Sequence, residues 1–359
     1  MKTAKRLVLC WADISGYMAA CWRALAATSG VDLRVIAFAA PGNTFSSDLA
    51  VGFNCRLLSQ QEKNDPALIA SLVKEHRPDV LYTSGWFHEP YRKLIRDPSF
   101  ASVPKWMGVD TPWRGTLRQQ LGRITLRSYA DRFDRVFVPG ERAWQYMRRL
   151  GVAESRIRRG LYGVDYDQLA PLYEQRLNQA GGGGWPRRFL FIGRYAQEKG
   201  ISTLIEAYAK YRAAVSDPWP LTCCGSGALK GLFVGREGIE DLGFRQPGEL
   251  PEILRSHGVF VLASDFDPWP LVVVESSAAG LPVLCTEACG SAVELVRSYH
   301  NGLTVATADV DALAAGMRWM HEHAAELAEM GRRGRELAAA YSAQTWAARW
   351  AHAFFEQLR

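Results

Sequence analysis

The sequence predicts an α/β protein of two tandem Rossmann-like domains, each a doubly wound parallel sheet, facing a cleft. Three features of its 359 residues predict this. Short apolar runs of strand length alternate with longer, helix-compatible stretches. The alternation comes as two successive series. Between them stands Gly181-Gly182-Gly183-Gly184, a run that no helix or strand interior tolerates.

In the first series strands are expected at 6–12, 32–39, 79–84, 105–109, 135–138 and 156–161, with helices between them, as at 67–75 and 141–150. Parallel neighbours need crossovers of that length. In the second series strands are expected at 188–192, 221–224, 239–242, 259–263, 282–286 and 302–305. The division that follows is an N-terminal domain at 1–165, a Gly-rich linker at 166–187 and a C-terminal domain at 188–341. The last stretch, 342–359, reads as a helix placed to pack back on the N-terminal domain.

Composition fits this plan. With 48% hydrophobic and 22% charged residues the chain has the balance of a soluble globular protein, long enough for two cores. No apolar run is long enough to span a bilayer, and the first, at 7–12, is too short for a secretory signal. Seven cysteines form no disulfide framework; Cys223, Cys224 and Cys285 sit in strand-like runs as small hydrophobes. Cys285 and Cys289 have metal-ligand spacing but no second pair, so no metal is expected. These features point to the cytoplasm. The net charge of +6 is concentrated: between Arg114 and Arg159 twelve arginines stand against four acidic residues. Such a stretch is either a solvated face or a surface for something acidic, which allows peripheral contact with the inner face of a membrane.

The chemistry is expected in the second domain. Its first strand runs into Gly193-Arg194-Tyr195-Ala196-Gln197-Glu198-Lys199-Gly200, just ahead of an amphipathic helix. Two cations beside a helix N-terminus suit a diphosphate, because fixed charge adds to the dipole and the free amides. The next strand ends in Gly225-Ser226-Gly227, where backbone passes close to something. Asp267 and Glu275 lie eight residues apart; if the segment between them is helical, the gap is about 12 Å. That spacing serves opposite ends of one long polar ligand. Asp267 and Pro268 also fit the N-cap and first position of a helix. Asp265-x-Asp267 allows a metal-binding reading, which the tandem layout disfavours.

In order and spacing, Gly193-Arg194-x4-Lys199-Gly200, Gly225-x-Gly227, Asp267-x7-Glu275 and Ala278-Ala279-Gly280-Leu281-Pro282-Val283 resemble family 4 of the retaining glycosyltransferases, with the GT-B fold. Val136-Phe137-Val138-Pro139-Gly140 and Leu161-Tyr162-Gly163-Val164-Asp165 are similar to that family's passage out of its first lobe. The resemblance implies a nucleotide-sugar donor, UDP-linked first and GDP-linked next, bound by the C-terminal domain at 188–341, and a glycan or lipid-linked acceptor on the side of the N-terminal domain at 1–165. It implies no further cofactor. Arg194 and Lys199 would hold the diphosphate and stabilise the departing nucleotide without metal. Glu275 would bind the ribose hydroxyls and Asp267 the transferred sugar. Gly16, Gly193, Gly225, Gly227, Leu271 and Val272 would line the donor site. Family members retain configuration by front-face attack assisted by the donor phosphate, so no protein nucleophile is required. The chain departs from the family pattern in having Asp267 for a glutamate, Pro270 for a glycine, and one glycine, Gly16, in its first loop.

On the acceptor side Asp13, His88 and Asp110 each follow a strand-like run, where a side chain can orient a hydroxyl or cap a helix. Competing readings are an epimerase or phosphorylase, a non-catalytic nucleotide-sugar-binding or scaffold protein, and a nucleic-acid binder. The last lacks any reading motif. Finally, Leu117, Leu121 and Ile124 recur at helical spacing among arginines, which fits either packing on the first domain or docking on anionic lipid.

Overall fold

The computed structural model describes residues 4–39, 47–179 and 184–359. The chain divides into two compact units, one of Met1–Val164 with Tyr341–Arg359, the other of Asp165–Ala340.

The first unit is built on a seven-stranded sheet. Its strands are β1 (Lys5–Asp13), β2 (Val31–Phe38), β3 (Asn54–Leu58), β4 (Val80–Ser84), β5 (Lys105–Gly108), β6 (Arg135–Val138) and β7 (Ile157–Arg159). They lie in the order β3-β2-β1-β4-β5-β6-β7, every pair parallel. Both faces are covered, since two separate clusters of buried side chains flank the sheet. Alternation puts Leu7 and Leu9 in one cluster, and Val8 and Cys10 in the other. β3 is missing from the expected strands. It is an edge strand, Asn-Cys-Arg-Leu-Leu, with only Leu58 fully buried, so it lacks the apolar run that marks the central strands.

The C-terminal helix Ala343–Gln357 belongs to this unit. Trp346, Trp350 and Phe354 recur at helical spacing and are buried against the first cluster. Their polar edges are satisfied: the Trp346 indole donates to the Leu161 carbonyl (2.9 Å) and the Trp350 indole to that of Gly160 (3.0 Å). The helix Leu117–Ala130 is different. Tyr129 and Ala130 are buried, but Leu117, Leu121 and Ile124 are 76, 72 and 79% exposed. Packing of these three on the unit, one of the two expectations, is therefore excluded.

The second unit carries β8 (Phe189–Ile192), β9 (Leu221–Cys224), β10 (Ile239–Gly243), β11 (Val259–Leu262), β12 (Val283–Thr286) and β13 (Gly302–Val305). Their order is β10-β9-β8-β11-β12-β13, again all parallel. The sheet reverses direction of winding between β8 and β11, as the first does between β1 and β4. Ligands of such sheets bind outside the carboxyl ends of the strands at that point.

The segment read as a linker is largely structured. Tyr166–Leu169 and Pro171–Gln179 are helices of the second unit, held by buried Leu169, Leu172, Tyr173 and Arg176. Residues 181–183 of the glycine run lie outside the described residues.

Candidate donor and acceptor sites

The loops that follow β8 and β11 are locked together. The Asp265 and Phe266 amides donate to the Glu198 carbonyl (2.9 and 3.2 Å). Gly200 has φ +63°, and a Cβ there would stand 1.8 Å from the Ala263 carbonyl oxygen, so only glycine fits. β9 joins from the other side. The Tyr195 amide donates to the Ser226 carbonyl (2.8 Å), and the Tyr195 hydroxyl to Asp241 Oδ1 (2.6 Å). A Cβ on Gly225 would meet the Gly193 carbonyl oxygen at 1.9 Å, and one on Gly227 the Tyr195 oxygen at 2.4 Å. The Gly-x-Gly of this strand thus lets two loops stack, whatever else it touches.

On this frame the charges are arranged in pairs. Arg194 is 75% exposed and bridges Glu198 at 2.7 Å. Lys199 bridges Asp267, and this pair is largely buried. Removing one member of such a pair strands the other in a poorly solvated place. Asp267 does not cap a helix. The helix begins at Leu271 with Pro270 as its N-cap, and Asp267 instead forms a bridge to Cys289, its carbonyl accepting from the Gly290 amide (2.9 Å). The expected helical rise between Asp267 and Glu275 is therefore wrong, because the Asp-Pro-Trp-Pro segment breaks the helix before it starts. Neither Pro270 nor Gly200, the N-cap of the helix Ile201–Ala214, supplies a side-chain cap. Two helices thus begin beside these loops, at Ile201 and at Leu271, with no side-chain cap on their first amides, those of Leu271 and Val272 among them.

Glu275 sits one turn further along. Burial pushes its carboxyl up to about 7. The far end of its helix is held by Arg176, which is 1% exposed. This guanidinium donates to the carbonyls of Leu254 (2.6 Å), Arg255 (3.2 Å), Ala279 (3.0 Å) and Gly280 (3.3 Å), and lies 4.9 Å from the Trp185 ring. Burial lowers its pKa to about 9. Arg176 was not singled out from the sequence, although Leu172, Tyr173 and Arg176 share one helix face.

The corresponding switch point of the first unit holds a cavity of about 170 Å³, lined by Trp11, Tyr82, Trp86, Phe87, Asp110 and Tyr162 among others. Trp11 stacks on Tyr82 with centroids 5.0 Å apart and meets Tyr162 edge-on at 6.2 Å. The Tyr162 hydroxyl donates to Asp110 Oδ2 (2.9 Å). Burial holds both phenols well above their usual pKa, so they remain donors. Gly108 makes room: a Cβ there would lie 1.9 Å from the Tyr82 hydroxyl. These aromatic residues escaped the sequence reading because they look like core. His88 lies elsewhere. It is the N-cap of the helix Glu89–Arg96, its Nε2 is bonded to the Lys63 carbonyl (2.8 Å), and its ring packs on Phe38 and Tyr91. Burial lowers its pKa. Asp13 is exposed at the end of β1. Gly16 begins the helix Gly16–Ala26, whose N-cap Ser15 gives no side-chain cap. Among the described residues no three His, Cys, Asp or Glu side chains are grouped so as to hold a metal ion, and no helix is long and apolar enough to cross a membrane.

Two family models match the chain. "Glycosyl transferases group 1" covers residues 182–337, and "Glycosyl transferase 4-like domain" covers 14–160. Among curated proteins, an uncharacterized glycosyltransferase of Methanocaldococcus jannaschii is 29% identical over 36% of this chain and 35% of its own length. The amylovoran biosynthesis glycosyltransferase AmsK of Erwinia amylovora is 25% identical over 70% of this chain and 63% of its own length. The chain thus spans less than two thirds of either relative. Among solved structures, Anabaena HepE in complex with UDP aligns over 98% of this chain and 100% of its own, with TM-score 0.75 and 20% identity. At that identity the likeness establishes the two-unit fold.

Proposed function

Since the chain belongs to the group 1 glycosyl transferases, with the GT-B architecture, we propose that it moves a sugar from a nucleotide diphosphate to an acceptor hydroxyl, retaining anomeric configuration and using no metal. A UDP-sugar is the favoured donor, as HepE has been crystallised with UDP-glucose, and a GDP-sugar is next. The acceptor is a glycan or a lipid-linked sugar, in keeping with AmsK and with a teichuronic acid biosynthesis glycosyltransferase among the relatives. The enzyme works in the cytoplasm, with peripheral contact to an anionic membrane through the first unit.

The observation that carries this reading is the largely buried pairing of Lys199 with Asp267, which joins the loops after β8 and β11 at the second switch point. An arriving diphosphate competes with Asp267 for the Lys199 ammonium and draws Arg194 from Glu198. The released Asp267 carboxylate then accepts from sugar hydroxyls, while Glu275 accepts from the ribose. In the transfer the bond from anomeric carbon to phosphate oxygen breaks, and the nucleotide diphosphate leaves with the electron pair. The acceptor oxygen bonds the same carbon from the same face, and its proton passes to the departing phosphate. Arg194 and Lys199 stabilise the charge that develops there. Asp110, in the aromatic cavity of the first unit, orients the acceptor hydroxyl. His88, held by the Lys63 carbonyl, contributes less.

The test is a panel of UDP- and GDP-sugars with glycan and lipid-linked acceptors in excess chelator, with anomeric configuration read by NMR. Turnover of a UDP-sugar with retention is expected. Inversion would sink the retaining mechanism, and activity that returns only with manganese or magnesium would sink the metal-free one. Tight binding without turnover of any donor would leave a non-catalytic nucleotide-sugar binder.

A further inference from the structure

The helix Leu117–Ala130 exposes apolar side chains on the face turned away from its own protein. At about 100° per residue, Leu117, Leu121 and Ile124 fall within an arc of about 60°. Half-buried Leu126 and buried Tyr129 and Ala130 occupy the opposite side, where they join the core cluster. Arg118 flanks the stripe on one side, and Arg123 and Arg127 on the other; all three are exposed. Four arginines of the same basic segment are spent on ion pairs: Arg135 and Arg158 with Glu356, Arg156 with Asp131, Arg159 with Glu141. Among the described residues the three that flank the stripe have no acidic partner.

We propose that the helix Leu117–Ala130 is a lipid-inserting element, lying in the headgroup layer of an anionic membrane. Leu117, Leu121 and Ile124 enter the acyl boundary, and Arg118, Arg123 and Arg127 meet lipid phosphates. The proposal deepens the membrane contact named above and does not depend on the transfer chemistry. Three features select lipid over protein. The stripe is a narrow ridge of three side chains, well short of the roughly 800 Å² per partner of a stable protein interface. A second copy laid on it would bring arginine against arginine. Amphipathic helices with an apolar ridge between cations sink to about 5–10 Å in the interface, where each basic residue adds attraction to anionic headgroups.

The experiment is co-sedimentation of the full chain with vesicles of phosphatidylcholine, with and without phosphatidylglycerol. Binding to the anionic vesicles is expected, weakened but not abolished at about 1 M salt, where the Debye length is about 3 Å. The combined variant Leu117→Gln, Leu121→Gln, Ile124→Gln should partition about 100-fold less, given the apolar area withdrawn from lipid, and should be released fully by salt. Its melting temperature should match the parent, since all three positions are exposed. Arg118→Glu with Arg123→Glu should lose binding to anionic vesicles only. Equal partition of the parent and the Gln variant overturns the proposal. So does a parent that ignores vesicles and runs as a dimer that the Gln variant dissolves, which would make the stripe a protein interface. Donor turnover with a water-soluble acceptor, without vesicles, should be the same in parent and Gln variant. If the parent shows no turnover while vesicle binding follows the expected pattern, the transferase reading falls and the inserting helix stands.

Discussion

The two switch points share a topology and differ in chemistry. In the second unit the loops after β8 and β11 carry two ion pairs and lead into helices that have no side-chain cap. In the first unit the matching loops and strand ends enclose aromatic rings around one carboxylate, Asp110. A parallel sheet creates the crevice in both places, because crossovers leave on opposite sides there. What fills it is decided by side chains. Paired charges and free amides suit a polyanion, whereas ring faces with one acceptor suit the apolar and hydroxylated faces of a sugar. Topology locates a ligand, and local chemistry chooses it.

That contrast breaks most sharply at Lys199. Lys199→Ala should lower kcat about 10²–10³-fold, the usual cost of removing one group that stabilises developing charge. The substitution also strands Asp267 in a largely buried place, so stability must be measured alongside. Adding Asp267→Asn should recover the melting temperature and leave the rate low. Recovery of rate together with stability would show the pair to be structural only.

Asp110→Asn probes the other side. Acceptor kcat/KM should fall about 100-fold, in the range for a group that handles the reacting hydroxyl. Calorimetry with UDP should show unchanged affinity. A matching loss of UDP affinity would mean that the aromatic cavity is not a separate acceptor site.

The smallest effect is expected at Glu275, where it takes the form of a pH dependence. Its carboxyl, raised from 4.5 to about 7 by burial, keeps its proton in the folded chain over a range where the unfolded chain has lost it. The folded state is therefore penalised progressively as pH rises from about 4.5 to about 7, and constantly above that. Glu275→Gln should be the more stable protein above pH 7, by on the order of 2–3 kcal/mol. If ribose hydroxyls donate to the carboxylate, UDP affinity of the parent should rise up to about tenfold through pH 7 and then level off. In the Gln variant it should be flat. Identical pH profiles would separate Glu275 from the nucleotide.

Much of this was legible in the residues. The central strands announce themselves because burial on both faces demands unbroken apolar runs, as in Val259–Leu262 and Val283–Thr286. The Gly193-Arg194 and Lys199-Gly200 pattern marked the turn after β8, because the glycine requirement there is local: Gly200 has φ +63° and lies against the Ala263 carbonyl. β3 was invisible, since an edge strand needs little apolar content. Arg176 was equally hidden, because its value lies in four carbonyls that are distant in sequence.

By itself the sequence determined the two-sheet plan and the order of the strands' signals, and it put Gly193, Arg194, Lys199 and Gly200 in the loop after β8, all of which follow from periodicity and backbone geometry within a few residues. Only the tertiary structure decided that Lys199 meets Asp267 across 68 positions, that Trp11, Tyr82 and Tyr162, while packing in the first core, also line a cavity with Asp110, and that Leu117, Leu121 and Ile124 face outward. Side-chain periodicity states that a helix has an apolar stripe; which side of the helix is covered depends on what the rest of the chain places against it.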